Sequence, residues 1–73
     1  MEMTYQVFIV NPEQAVKMEK ILKMLEGDIE VGKHTNTEPY QINEKEIYQT
    51  YVVVCTRKIL RVINEYVGLR SMN

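Results

Sequence analysis

Residues 4–26 read TYQVFIVNPEQAVKMEKILKMLE, and the change of rhythm at Asn11-Pro12 decides the architecture. Before it, Thr4–Val10 is dense in β-branched and aromatic residues and too short for a stable helix, so it reads as a strand. Both of its faces are apolar: Tyr5, Val7 and Ile9 on one, Phe8 and Val10 on the other. Strands of that kind are expected at the centre of a sheet or covered on both sides. After Asn11-Pro12 the spacing becomes helical. Asn11 is suited to cap a first turn, Pro12 loses no hydrogen bond there, and Glu13 complements the positive end of the dipole. Ala15, Met18, Ile21, Leu22 and Leu25 form one apolar stripe. The helix is expected to run to Glu26, with Gly27 as its left-handed stop.

The same strand-to-helix step recurs at the other end of the chain. Residues 47–56, IYQTYVVVCT, form the most strand-like segment. Thr56 is placed to cap a helix over residues 57–67, with Ile59, Leu60, Ile63, Tyr66 and Val67 inward and Gly68 as its end. Between the two units, residues 28–35 alternate weakly and predict a strand bulged at Gly32. Residues 36–39 (NTEP) have turn composition, Tyr40–Asn43 is a candidate short strand, and residues 44–46 (EKE) suit a hairpin tip.

The order is β-α-β-β-(β)-α: an α+β two-layer sandwich, a three- or four-stranded, mainly antiparallel sheet with two helices on one face. Residues 1–73 make one domain. A chain of this length buries only about 60–65% of the surface its unfolded form exposes. Two short helices shield one side of the sheet, which leaves apolar side chains on the other side in need of cover. Such patches mark interaction surfaces. Tyr5, Val7 and Ile9 are therefore candidate partner-binding residues.

The charge is unevenly spread. Residues 1–54 carry five Lys against nine acidic residues, whereas residues 55–73 carry Arg57, Lys58, Arg61 and Arg70 against Glu65. A basic end on an acidic body can dock a polar partner, so Arg57, Lys58 and Arg61 join the candidate contacts. Thr56-Arg57-Lys58 is also a candidate anion site, because cations are unusual in a helix's first turn and an outside anion would supply the missing charge. The net charge of −1 argues against a general nucleic-acid binder and leaves such contact secondary.

Catalytic chemistry finds few handles. Cys55 would serve as a nucleophile only with a lowered pKa; its position at the end of an apolar strand predicts a buried, inert thiol instead. His34 reads as a surface histidine. One Cys and one His exclude a disulfide framework and a Cys/His zinc site. No glycine-rich phosphate loop is present, so the chain is expected to be non-enzymatic, with no cofactor and no metal. No apolar run approaches the ~20 residues of a membrane span, and a cytoplasmic location without membrane contact is expected.

Two families are similar in outline. In length, near-neutral charge, lack of a catalytic set and its leading segment MEMTYQVFIV, the chain resembles the very small phage-encoded proteins that bind host RNA polymerase, such as that of a Xanthomonas phage. The resemblance implies a viral regulator that docks on the large polymerase subunits in the host cytoplasm and alters initiation and termination, including antitermination. It transfers no individual contact residue. In element order, in FIVNPEQA (residues 8–15) and in ILRVINEY (residues 59–66), the chain also resembles the small dimerising subunit of the KEOPS tRNA-modification complex. It departs from that pattern at Arg61, which falls one place from the expected arginine, and at Gly68, where the helix ends early. The first resemblance implies a monomer on a larger protein complex, the second a homodimer.

Overall fold

The structure, a computed structural model, describes residues 2–36, 40–43 and 46–69. The elements in chain order are β1 (Thr4–Val10), α1 (Pro12–Met24), β2 (Val31–Asn36), β3 (Tyr40–Asn43), β4 (Glu46–Cys55) and α2 (Arg57–Val67). β4 is the spine of an antiparallel sheet in the order β1-β4-β2, and β3 pairs with the first residues of β4. The fold is α+β, with both helices sharing one core against the sheet. Within the expected turn at 36–39, Asn36 closes β2 and residues 37–39 lie outside the described residues; of the hairpin tip, residues 44–45 also lie outside them, as does Arg70. β2 and β3 both run antiparallel to β4, and so in the same direction as each other.

The helix starts follow from their caps. The Gln14 N–H donates to Asn11 Oδ1 at 2.8 Å, and the Asn11 N–H donates to Gln14 Oε1 at 3.1 Å. Two donors that the first turn would leave orphaned are thus paired reciprocally. α1 stops at Met24, two residues before the expected end. The Glu26 N–H donates to the Lys23 carbonyl, a tighter step than the α-helical one, and the chain then turns through Gly27 at φ 85°. α2 ends as its sequence predicts, on Gly68 at φ 82°, whose N–H donates to the Asn64 carbonyl.

Phe8 and Val10 of β1, Tyr51, Val53 and Cys55 of β4, Met18, Ile21 and Leu22 of α1, and Ile59, Ile63 and Val67 of α2 form one buried cluster. Two expectations need correction. Among the described residues β1 is an edge strand, not a central one, because β4 alone is paired on both sides. Tyr66 is exposed; it sits at the rim of the α2 stripe, and Asn64 takes the buried position within it.

Gly32 is the bulge. Val31 pairs with Cys55 and Lys33 with Val54, so two β2 residues advance against one β4 residue. A methyl on Gly32 would sit 3.3 Å from both Val54 Cγ1 and the Val54 carbonyl oxygen, which explains the glycine there. The bulge also changes which face β2 presents. Val31 packs on the core, whereas Lys33 and Thr35 lie opposite Val54 and Val52, on the far side of the sheet.

Candidate protein-docking surface

On the side of the sheet away from the helices, the register sets Tyr5 beside Val54, Val7 beside Val52 and Ile9 beside Thr50. Val52 and Val54 are half-buried by their central position. Tyr5, Val7 and Ile9, on the edge strand, remain 68%, 48% and 51% exposed. Lys33 and Thr35 of β2 border the other flank of this stripe. The result is a short apolar band along β1 and β4 with a polar rim.

The basic residues of α2 lie elsewhere. A groove of about 580 Å³ opens between the beginning of β1 and the outer side of α2. Residues 4–6 form one wall and Arg57, Arg61, Asn64 and Glu65 are on the other. Successive strand side chains point to opposite faces, so three consecutive residues can line one groove only by presenting the strand's edge. Arg57 and Arg61, one helical turn apart, are thus brought together beside β1, while Lys58 is exposed and does not line the groove.

Asn64 is the residue of this region that the composition and charge pattern did not flag. It is buried, its Nδ2 donates to the Leu60 carbonyl at 3.0 Å, and its Oδ1 has no hydrogen-bond partner. The helical period could have found it, since Asn64 lies four residues after Leu60 on the same stripe as Ile63 and Val67.

The anion expected at the start of α2 is already supplied from within the chain. The Thr56 hydroxyl donates to Glu30 Oε1 at 3.1 Å and its N–H donates to the Glu30 carbonyl at 3.0 Å, while Thr56 Oγ1 accepts from the Ile59 N–H at 3.4 Å. Glu30 is itself held by a turn in which its N–H donates to Asp28 Oδ1 at 2.8 Å. A carboxylate from the loop before β2 thereby stands where helices place their own acidic residues. The first turn of α2 has none of its own.

The reactive groups are sequestered or separate. Cys55 is fully buried, and burial pushes its thiol pKa up, the opposite of what a nucleophile needs. His34 is exposed and pairs with Val53, not with Cys55. The Tyr51 hydroxyl donates to Glu19 Oε1 at 2.5 Å; burial first, then that bond and the Glu19 charge, hold its pKa well above the ordinary phenol value. Among the described residues, no group of three or more His, Cys, Asp or Glu is placed to hold a metal ion, and no helix is long and apolar enough to cross a membrane. Comparison with protein-family models, curated proteins and solved structures finds no match to this chain.

Proposed function

We propose that this chain is a non-enzymatic protein-binding regulator that docks on a larger protein through β1. The observation that carries the reading is the exposure of Tyr5, Val7 and Ile9 on a sheet face that neither helix covers. Full burial of one Val or Ile side chain is worth about 1.5–3 kcal/mol, so covering this half-exposed trio yields on the order of 3 kcal/mol before the costs of association. Tyr and branched aliphatic side chains of this kind give contact area for little conformational entropy. The regulator would act by occupying a surface and holding its target in one state. The phage resemblance singles out host RNA polymerase as the first target, with altered initiation and termination as the consequence.

The test is capture of purified bacterial RNA polymerase by the tagged chain, beside a Val7→Thr/Ile9→Thr variant that keeps strand propensity and removes apolar area. Capture by the wild type that falls sharply in the variant supports the reading. Equal capture by both removes the sheet face as the contact, and no capture by either removes polymerase as the partner. The dimerising reading is favoured by a different observation: β1 is an uncharged edge strand, to which a second copy could pair. A concentration-independent dimer by light scattering would favour it over the regulator.

A further inference from the structure

The groove beside β1 has the construction of a strand-addition site, and its charge says what kind of strand it takes. We infer that an extended, acidic segment of the partner pairs along the outer edge of β1 and sets its carboxylates on Arg57 and Arg61. The inference deepens the docking reading above and rests on it.

Three observations converge. First, among the described residues β1 is paired on one side only, with β4, so the other edge presents backbone N–H and C=O groups at every second residue. β1 carries no charged residue and no proline, and its register against β4 runs from Thr4 to Val10 without a shift. Nothing in its sequence obstructs a further strand. Second, the groove sits between that edge and a helix, so a peptide lying there has main-chain partners on one side and a side-chain wall on the other. Third, the wall is selective. Arg57 and Arg61 stand about 6 Å apart along the helix axis, close to the ~6.6 Å repeat of alternate residues in a strand. Carboxylates two residues apart on the incoming segment match that pair. Further along, Glu65 stands on the same wall and calls for a donor.

The same chemistry separates this occupant from a second copy of the chain. A second β1 would bring TYQVFIV to the groove, with no carboxylate for either arginine. A partner strand with alternating acidic residues satisfies both walls at once.

The probe is a short fluorescein-labelled peptide, acetylated and amidated, in which valine alternates with glutamate; its counterpart has lysine in place of glutamate. Fluorescence anisotropy with the full chain should show binding of the glutamate probe and binding about tenfold or more weaker for the lysine probe. Amide hydrogen exchange should show new protection within β1 when the glutamate probe is bound. Arg57→Ala/Arg61→Ala should remove the preference between the two probes; circular dichroism checks that this surface variant is folded. Equal affinity for the two probes in the wild type, or protection that falls outside β1, overturns the inference. So does a stable dimer of the free chain in which the β1 amides are already protected. If Val7→Thr/Ile9→Thr abolishes capture of the target protein while Arg57→Ala/Arg61→Ala leaves both capture and probe binding unchanged, the docking reading stands and the acidic strand falls.

Discussion

Replacing Asn64 by leucine should make the protein more stable and leave its binding of the acidic probe unchanged. Asn64 is 9% exposed, and its Oδ1 is enclosed without a donor. An unsatisfied buried acceptor costs about 1–3 kcal/mol. The substitution also deletes the Nδ2 bond to the Leu60 carbonyl, worth about 0.5–1.5 kcal/mol. That carbonyl is not orphaned by the loss, because a helical C=O also accepts from the backbone N–H four residues on. Leucine has the higher helix propensity, adding a few tenths of a kcal/mol. The balance is a gain of about 1 kcal/mol, which for a domain of this size raises Tm by roughly 4–8 °C. Urea denaturation of wild type and Asn64→Leu, with and without the glutamate probe, reads both halves. The variant should have the higher midpoint alone, and the probe should raise the midpoints of wild type and variant alike. A variant destabilised by about 0.5 kcal/mol or more would refute the reasoning, since it would mean that Oδ1 contributes a bond instead of a deficit.

Three further outcomes follow from buried groups. Tyr51 has a folded pKa raised above its unfolded value of 10.0, so the stability tied to the neutral phenol is full below pH 10 and is lost as the pH rises beyond it. Tyr51→Phe should cost about 1 kcal/mol near neutrality through the Glu19 bond, and the gap to wild type should narrow in denaturation curves taken above pH 10. Cys55 should resist alkylation in the folded state, with iodoacetamide labelling at pH 8 tracking global unfolding; fast labelling under native conditions would contradict its burial. Thr56→Ala removes both the cap on Ile59 and the hydroxyl bond to Glu30, and a loss of about 1–2 kcal/mol in urea denaturation is expected.

What the sequence made legible is what local chemistry decides. Asn11-Pro12 starts α1, Thr56 starts α2, Gly68 ends it and Gly32 bulges β2, each through forces that act within a few residues. The shared core of two helices on one sheet face also followed, because apolar stripes must meet something. What escaped depends on contacts across the chain. β1 has a two-faced apolar pattern that suits a central strand, but strand order is set by which segment pairs on both sides, and that is β4. The start of α2 lacks a carboxylate in its own turn and obtains one from Glu30, 26 residues away in sequence. Of the candidate contacts, Tyr5, Val7 and Ile9 were legible from alternation alone, while the grouping of Arg57 and Arg61 without Lys58 required the position of α2 against the β1 edge.

The two edges of the sheet are treated differently, and the difference bears on how the surface is used. Natural edge strands are guarded by bulges, by charges such as Lys, or by cover, because an open edge recruits other chains indiscriminately. β2 has two of these guards together: the bulge at Gly32 and Lys33 directly after it. β1 has neither, and its residues 4–6 border the groove next to Arg57 and Arg61. An unguarded edge would be a hazard if nothing selected its occupant. The arginines supply that selection: they lower the affinity for basic and neutral strands relative to acidic ones, as like-charge or unpaired groups do at other specific interfaces. Placing a carboxylate on the β1 wall of the groove, by Gln6→Glu, should therefore suppress binding of the glutamate probe while leaving the fold intact, whereas the same charge on the already guarded β2, Thr35→Glu, should leave binding as it was.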